Sequence, residues 1–421
     1  MHRLSVHTEL FNKTLWSLGL RVLGVGIGLL AYISLARVMA PAEYGDFLYF
    51  VTLVAVVALV LQGGFQTSVL RYAHVYHAQP ALWAGFMRTS AFVPLLLAAL
   101  FAAFAYGLQA RGGLPAIMQR VLLETCIAST LFALAYVAQQ SLKAFHRIVA
   151  SQIYEQIGLP LCLAAAALTY WYTGTAMAYA DAARVYSVAF LAIVVVTWRL
   201  LILHHYPRAV TPQYQLAHWF KSSFLMGLTG IVATLMLRMD VLVMGWLLSS
   251  EELAQYGVAA RLAALLAFIY AALGNSLSPR ISQKYHDGTL NEILPTIRKF
   301  TRVAVVLNLT ALAVVIALRA PILGLFGPHY AAAGHLLIVL AAAQALNIAA
   351  GPLGTILNIT RHDRAYLMFM LCFAAILAVA LWWGITHYQA VGAAYAVAAV
   401  QFAMQLGLML LVARKTGIRL I

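Results

Sequence analysis

Apolar stretches of about twenty residues, bounded by charged residues, proline or glycine, follow one another along the whole chain. A stretch of this length crosses the hydrocarbon core of a bilayer as a helix. The pattern predicts twelve transmembrane helices, over residues 15–36, 46–70, 84–107, 119–141, 152–172, 178–200, 222–248, 254–278, 300–320, 331–357, 366–386 and 390–412. The first stretch is too long for the core of a cleavable signal peptide, so we interpret it as the first span.

The composition agrees with this pattern and excludes a soluble enzyme. Of the 421 residues, 64% are hydrophobic and only 9% are charged, whereas a soluble domain carries about 25% charged residues. Cys126, Cys162 and Cys372 lie in apolar stretches without metal-type spacing and are predicted to be small core residues. The chain lacks nucleotide-binding glycine motifs, and the sequence predicts no metal and no cofactor. Transport would therefore draw on an ion gradient, the membrane potential or the substrate's own gradient.

The distribution of cations predicts the orientation in the membrane. Of the 27 lysines and arginines, four lie inside spans, nineteen lie in segments on one side and four lie on the other, namely Arg37, Arg111, Arg120 and Arg319. Because cytoplasmic loops carry the excess of cations, the side with nineteen is predicted to be cytoplasmic, together with both termini. The formal net charge of +15 is scattered over short loops, so it indicates topology and anionic lipid contact and predicts no nucleic-acid partner.

A polar interval predicts two lobes of six helices each: an N-lobe over 1–202, a linker over 203–221 and a C-lobe over 222–421. The halves share residues at equivalent places, as Tyr44-Gly45, Arg71, Tyr76 and His77 in the first half match Tyr256-Gly257, Arg280, Tyr285 and His286 in the second. Such a repeat indicates pseudo-symmetric lobes. In transporters of this kind the substrate site lies near the midplane, between the repeats.

Charges inside the spans are the most informative residues, because each costs at least ~2.5 kcal/mol at the bilayer centre unless it faces protein, water or ligand. Some of them have a structural explanation. Arg120 and Glu124 are four residues apart and Asp181 and Arg184 are three apart, so each pair is predicted to neutralise itself on one helix face. Glu155 lies only a few residues into the fifth span, from which it can reach the inner interface or a loop arginine.

Two arginines, Arg21 and Arg238, have no obvious partner within their spans. Asp240 and Arg261 lie at similar depth in the seventh and eighth spans and are predicted to pair, while Arg238 and Asp240 point to different helix faces. Arg21 and Arg238 either bond to carbonyls or acids on neighbouring helices, or line a cavity and hold a phosphate or an acidic sugar in a bidentate manner. Possible groups for ion coupling are Asp240, Glu124 and His335.

Four stretches carry a family resemblance, in matching order along nearly the whole chain. They are LARVMAPAEYGDF at 35–47, RMDVLVMG at 238–245, YGVAARL at 256–262 continuing to SPRISQKY at 278–285, and PILGLFGPHY at 321–330 with GPLGTILN at 351–358. Together they resemble the polysaccharide transporter family, the oligosaccharide-lipid flippases. This family belongs to the superfamily of multidrug exporters, oligosaccharide-lipid flippases and polysaccharide transporters, known as the MOP superfamily.

The resemblance implies an all-α, two-lobed fold like that of the MATE exporters. Such a protein alternates between inward-open and outward-open states in the bacterial inner membrane, and moves an undecaprenyl-pyrophosphate-linked oligosaccharide to the periplasmic leaflet. The unit carried would be a precursor of O-antigen, capsule or exopolysaccharide. Cationic residues of the cavity would engage the pyrophosphate, and the positions that match here are Arg21, Arg238 and, as a secondary candidate, Arg261. The implied partners are membrane lipid and the glycosyltransferases or polymerase of the same pathway.

Three other functions stay open on the sequence. A cation-coupled multidrug exporter would need free carboxylates in its cavity, and the spans offer more arginine than free acid. A lipid II flippase is expected to have fourteen spans rather than twelve. A glycosyltransferase or polymerase that uses the same lipid carrier would need a large outer loop, whereas the predicted outer loops have at most about a dozen residues. The sequence therefore predicts a transporter rather than an enzyme.

Overall fold

A computed structural model of the protein describes residues 2–76, 78–145, 147–207, 210–287, 289–349, 353–360 and 362–416. These residues are almost entirely helical, and none of them forms a β-strand. Ten of the helices in the described ranges are long and apolar enough to cross a membrane. The protein is therefore an all-α, multi-pass membrane protein. By packing it divides into two compact units, Met1–Thr234 and Leu235–Ile421.

The first unit contains eight complete helices and the beginning of a ninth. They are α1 (His2–Val38), α2 (Pro41–Leu61), α3 (Phe65–Tyr76), α4 (Pro80–Ala110), α5 (Ala116–Ala144), α6 (Ile148–Ile153), α7 (Leu159–Thr173), α8 (Tyr179–His205) and α9 (Leu216–Leu247). A short π-helix, Tyr154–Gly158, joins α6 to α7. Proline opens α2 and α4, where its missing N–H costs nothing. Helix α5 packs against α2, α3, α4 and α8 and forms the centre of the unit.

Between α2 and α3 the backbone takes positive φ angles at two glycines, +56° at Gly63 and +82° at Gly64. Only glycine adopts this conformation without strain. The backbone of α9 crosses at the same place, because a Cβ on Gly64 would lie 1.8 Å from the carbonyl oxygen of Ser223, and one on Gly227 would lie 2.6 Å from the Gly64 Cα. The hydroxyl oxygens of Ser68 and Ser223, both fully buried, are 2.7 Å apart.

Buried aromatic rings fasten the start of α9 and the segment before it to α3 and α4. The Trp219 side chain is fully buried, its Nε1 donates to the Tyr76 hydroxyl at 2.9 Å, and its ring meets Phe86 edge-on at 5.4 Å. The Gln213 N–H donates to the carbonyl oxygen of Ala81 at 3.0 Å. The predicted linker, 203–221, is therefore part of the first unit, and the division into units lies further along the chain, within α9.

The second unit contains the end of α9 and six further helices. They are α10 (Ser250–His286), α11 (Leu294–Ala317), α12 (Arg319–Gly324), α13 (Gly334–Ala349), α14 (Leu353–Ile359) and α15 (Asp363–Thr416), with short 3-10 helices at Leu290–Ile293 and Pro328–Ala333. A capping box opens α10, since the Ser249 hydroxyl accepts from the Glu252 N–H while the Glu252 carboxylate accepts from the Ser249 N–H. Helix α13 packs against α10, α11 and α15.

The long helix α15 is two antiparallel helices joined at a sharp turn. The turn is at Gln389, with φ +54°. The two arms touch where side chains are absent, because a Cβ on Gly392 would lie 1.9 Å from the carbonyl oxygen of Gly384. Further from the turn, a Cβ on Gly407 would lie 2.8 Å from the Phe369 ring. This hairpin supplies the eleventh and twelfth predicted spans.

The described residues of the twelve predicted spans lie mainly on helices, with two differences from the prediction. The second span, predicted as continuous over 46–70, is broken into α2 and α3 at the two glycines. The corresponding helix of the second half, α10, continues without a break. Cys162 and Cys372 are exposed rather than buried, which corrects their interpretation as core residues. The repeated Tyr44 and Tyr256 are both fully buried, whereas His77 lies outside the described residues.

Candidate functional site

A charged cluster lies in the first unit, where α1, the end of α5 and the π-helix meet. It consists of Arg21 on α1, Lys143 on the last turn of α5 and Glu155 on the π-helix, all half-buried. Lys143 interacts electrostatically with both Glu155 and Arg21. Its Nζ lies 5.6 Å from the centre of the Tyr136 ring, which favours the ammonium through a cation–π interaction. Two cations and one carboxylate leave this cluster with a net positive charge.

The π-helix and a close backbone approach bring these residues together. A Cβ on Gly24 would lie 2.9 Å from the carbonyl oxygen of Gln156, so α1 can contact the π-helix only because residue 24 is glycine. Arg21 is three residues before Gly24 and therefore on the same face of α1. A π-helix widens one turn, which re-aims the side chains that follow it, and such turns are frequent at functional sites. Here that turn carries Glu155.

Two buried amides, those of Gln139 and Gln156, lie beside the charges. The Gln139 side chain is 1% exposed, and its amide interacts with the Glu155 carboxylate. The buried Oε1 of Gln156, on the π-helix, is unsatisfied within the described part of the chain. Buried polar atoms without partners are costly, and an ordered water or a ligand is the usual explanation for them.

A second charged cluster lies in the second unit, at the meeting of α9 and α10. The Asp240 carboxylate accepts from the Tyr256 hydroxyl at 2.7 Å and from the Val241 N–H at 2.8 Å. Arg238 lies two residues before Asp240, and no direct ion pair joins the two among the described residues. The Asp240 carboxylate, which the sequence pairs with Arg261, thus accepts hydrogen bonds from Tyr256 and from the backbone.

Two further predicted site residues, Arg261 and His335, lie on α10 and α13 of the second unit. Arg261 is half-buried on α10 and is not without an interaction partner. His335 is exposed at the start of α13, where its Nε2 lies 3.1 Å from the Tyr395 hydroxyl. Within the described part of the chain, no direct ion pair involves Arg21 or Arg238. Arg21 belongs to the first unit, whereas Arg238, Asp240, Arg261 and His335 belong to the second.

A separate network at the other end of the first unit corrects one predicted pair. Arg120 forms ion pairs with Glu43 at 2.5 Å and with Asp46 at 2.6 Å, both on α2, rather than with Glu124. Glu124 instead accepts from the Tyr179 hydroxyl at 3.1 Å. The acids that hold Arg120 are distant in sequence, so the helix spacing could not reveal them. The predicted pair of Asp181 and Arg184 is confirmed, at 3.2 Å.

We expect Arg120→Ala to lower the free energy of unfolding by about 2–3 kcal/mol. The Asp46 carboxylate is 1% exposed and loses its ion pair, and breaking a fully buried pair costs ~3–5 kcal/mol. Arg120 is 48% exposed, which reduces the effect. Thermal unfolding of the purified protein in detergent measures it. Arg184→Ala removes a pair whose arginine is 73% exposed, and should change stability by less than ~0.5 kcal/mol. Equal effects of the two substitutions would contradict a structural role of Arg120.

The sequence reasoning identifies Arg21 but misses its neighbours. Lys143 lies at the end of a span and counts there among the cytoplasmic cations, while Glu155 has an ordinary explanation as an interface residue. The signal that could have joined them is their predicted depth, since all three lie toward the cytoplasmic ends of their spans. Sequence spacing could not have joined these residues, because Arg21 and Lys143 are 122 positions apart.

Comparisons with known proteins agree with the fold. The profile of a family described as "Polysaccharide biosynthesis protein" matches residues 10–284, and that of the MatE family matches residues 226–384. The lipid II flippase MurJ, in an inward closed conformation, has a similar structure, with a TM-score of 0.76 at 11% identity over 94% of this chain and 87% of MurJ. No curated protein sequence matches the chain.

Two MATE structures are similar as well. An inward-facing multidrug resistance MATE family transporter of the MOP superfamily gives a TM-score of 0.72 at 11% identity, over 92% of this chain and 93% of the transporter. The MATE multidrug transporter DinF-BH gives a TM-score of 0.63 at 13% identity, over 96% of this chain and 95% of DinF-BH. At these identities the likeness shows the fold alone.

The two family profiles, together with the helical fold, place the chain among the polytopic transporters of the MOP flippase superfamily. Within it, the chain belongs to the polysaccharide biosynthesis protein family, whose profile covers well over half of its length.

Proposed function

We propose that this protein is a flippase of the bacterial inner membrane, and that it moves an oligosaccharide linked to undecaprenyl pyrophosphate from the cytoplasmic to the periplasmic leaflet. Membership of the polysaccharide biosynthesis family supports a saccharide-bearing substrate. The observation that carries the proposal is the cationic cluster of Arg21 and Lys143, which is half-buried in a span region and which no direct ion pair among the described residues neutralises.

The chemistry of the substrate requires such a cluster. A pyrophosphate bearing sugars cannot enter hydrocarbon unaided, because burying an unpaired anion costs many kcal/mol. Guanidinium and ammonium groups remove that cost, and arginine does so with bidentate geometry. In the predicted orientation the cluster lies toward the cytoplasm, on the side where the substrate is made. The polyprenyl tail would stay in the lipid, and no bond would be made or broken.

Two related functions have observations in their favour. The similarity to MurJ favours lipid II as the cargo, and the MatE profile over 226–384 favours a cation-coupled exporter of drugs. For coupling to Na⁺ or H⁺, Asp240, Glu124 and His335 stay as predicted candidates. We rank both functions second because the charges in the first cluster are mainly cationic, which suits an anionic headgroup better than a cationic drug.

Reconstitution tests the substrate directly. Vesicles containing the purified protein would receive lipid-linked oligosaccharide, lipid II or a cationic dye, and movement across the bilayer would be followed by an impermeant reagent that modifies only the outer leaflet. We expect the oligosaccharide lipid to move fastest. In cells, depletion should trap this lipid on the cytoplasmic leaflet, where the glycosyltransferases of the pathway assemble it. Transport of the dye alone would overturn the proposal.

We expect Arg21→Ala and Arg238→Ala each to lower flipping by roughly 10-fold to 100-fold, since a hydrogen bond to a charged group contributes about 1.5–3 kcal/mol. Lysine at either position should restore part of the rate, because it keeps the charge and loses the bidentate geometry. Arg184→Ala, at an exposed pair, is the matched control and should flip at the wild-type rate. Wild-type rates for both alanine variants would remove the two arginines from the site.

A further inference from the structure

A groove of about 490 Å³ opens on the surface of the α15 hairpin, beside its turn. The rings of Trp383, Tyr388 and Tyr395 form part of its wall, and each of these residues is more than half exposed. Gly384 and Gly392, where the backbones of the two arms touch, also line it. Sites for small ligands usually have volumes of about 300–1,000 Å³, so the groove is large enough to hold a ligand.

The lining of the groove suits a hydrocarbon chain. Its other members are Ala380, Val391, Ala396 and Ala399, and none of the described residues that line it is charged. The hairpin belongs to a segment that is long and apolar enough to cross a membrane. Lipid is therefore the medium that meets the groove. An exposed apolar surface of this kind marks a place where another apolar group binds.

A polar pair stands at the wall of the groove. The Nε2 of His335, an exposed residue at the start of α13, lies 3.1 Å from the Tyr395 hydroxyl. Tyr395 thus joins the apolar groove to a polar side chain on another helix. An imidazole has two ring nitrogens, so the Nδ1 of His335 can bond to a ligand while the Nε2 keeps its contact with the tyrosine.

An arginine lies next to this pair. A Cβ on Gly334 would lie 3.7 Å from the Cδ and 4.0 Å from the Nε of Arg319, which places this side chain beside the start of α13. Arg319 is exposed, and its Nη1 donates to the Ile316 carbonyl oxygen at 3.1 Å. Within the described part of the chain, no carboxylate forms an ion pair with it. Because a guanidinium binds phosphate in a bidentate manner, Arg319 suits a phosphate at the edge of the groove.

The length of the groove fits one leaflet of the bilayer. Ala399 lies ten residues after Gln389, the residue at the turn, which is about 15 Å along a helix. Half of a hydrocarbon core of about 30 Å has the same thickness. In the predicted orientation the turn and Arg319 are both on the periplasmic side. The groove therefore matches an acyl chain of the outer leaflet better than the much longer undecaprenyl chain.

We propose that this groove binds one anionic phospholipid of the outer leaflet. An acyl chain lies against the rings of Trp383, Tyr388 and Tyr395. The phosphate accepts from the Arg319 guanidinium and bonds to the His335 imidazole. The apolar groove and the cation complement the two ends of an amphiphile, and no residue of the site belongs to the two charged clusters. The inference therefore does not depend on the cargo that the protein moves.

The test places the full-length protein in nanodiscs of phosphatidylcholine that contain a trace of a phospholipid with a photoreactive group on its acyl chain. One probe has the phosphatidylglycerol headgroup and the other the phosphatidylcholine headgroup. After illumination, mass spectrometry identifies the labelled peptides. We expect the phosphatidylglycerol probe to label residues 380–399 about tenfold more than the other probe, because its net negative charge complements the unpaired guanidinium. Unlabelled phosphatidylglycerol should compete with the label.

Two variants separate the headgroup from the chain. Arg319→Gln should lower labelling by phosphatidylglycerol about tenfold, whereas Ala399→Phe fills the groove and should lower labelling by both probes. Arg111→Gln removes another exposed cation of the predicted periplasmic side, and Val379→Phe adds bulk at an exposed position of α15 outside the groove. Both controls should label like wild type.

Thermal unfolding checks that each variant is folded. Arg319→Lys, which keeps the charge and loses the bidentate geometry, replaces the glutamine variant if that one fails to fold, and should keep only part of the preference. Equal labelling of 380–399 by the two probes overturns the inference, and so does wild-type labelling of the Arg319 and Ala399 variants. Stronger competition by undecaprenyl phosphate than by phosphatidylglycerol would assign the groove to the carrier lipid. A protein–protein cross-link through the hairpin would assign it to a second copy, and either result overturns the inference.

Discussion

Gly64→Ala should destabilise the first unit by roughly 2–5 kcal/mol. The new Cβ would lie 1.8 Å from the carbonyl oxygen of Ser223, so the backbone of α9 must move by more than about 1 Å to restore an ordinary contact. Overpacking of this kind costs about 1–3 kcal/mol. The φ of +82° adds a further ~1–2 kcal/mol for a residue that carries a Cβ. Thermal unfolding in detergent measures the sum of the two costs.

Gly63→Ala separates the two contributions. Gly63 also has a positive φ, +56°, but its Cβ would meet the Val93 side chain at 3.3 Å, where a small rotation relieves the contact. The difference in stability between the two alanine variants therefore reports the steric clash with α9 alone. A loss of stability for Gly64→Ala no greater than that for Gly63→Ala would show that α9 does not need to approach α3 so closely.

The same crossing shows what hydropathy can and cannot predict. Bilayer thickness fixes the length of each span, so the positions of the spans follow from apolar stretches, and their described residues lie mainly on helices. Hydropathy is insensitive to backbone geometry, however, and predicts one helix over 46–70 where Gly63 and Gly64 break it into two. The π-helix at Tyr154–Gly158 escapes prediction for the same reason.

Charges are predictable from the sequence only where their partners are local. The pair of Asp181 and Arg184 follows from helix spacing, which sequence reasoning can count. Arg120 forms its ion pair with Glu43, which is 77 residues away in sequence. Helix spacing instead predicts a pair with the nearer Glu124, which is wrong. Arg21 stands out because a charge inside a span is expensive. Its cluster also needs a lysine and a glutamate whose positions near span ends give each an ordinary explanation as an interface residue.

The internal repeat predicts burial better than it predicts chemistry. Tyr44 and Tyr256 are both fully buried near the beginning of equivalent helices. Tyr256 donates to Asp240, however, and the first half has no acid at a matching place in the sequence. Burial of this tyrosine is thus common to both halves, whereas the acid that Tyr256 contacts has no sequence counterpart in the first half. Functional residues could therefore not be transferred from one half to the other by the repeat.

Cysteines at positions 68 and 223 should form a disulfide that stops transport when oxidised and releases it when reduced. The Ser68 and Ser223 hydroxyl oxygens are 2.7 Å apart, which small adjustments bring to disulfide geometry. The substitutions belong in a background without Cys126, Cys162 and Cys372, which are free thiols. Flipping would be measured in vesicles after oxidation and again after reductant, with the single variants Ser68→Cys and Ser223→Cys as controls.

The reason for a complete block lies in α9. Its residues up to Thr234 belong to the first unit and those from Leu235 to the second. The close crossing at Gly64 and Gly227 has no side chain between the backbones, and its opening would require Trp219 to leave its packing on Tyr76 and Phe86. In the cycle of the proposed flippase we expect the beginning of α9 to leave α3. Full flipping by the cross-linked protein would instead require α9 to bend beyond Thr234 while its first half stays in place.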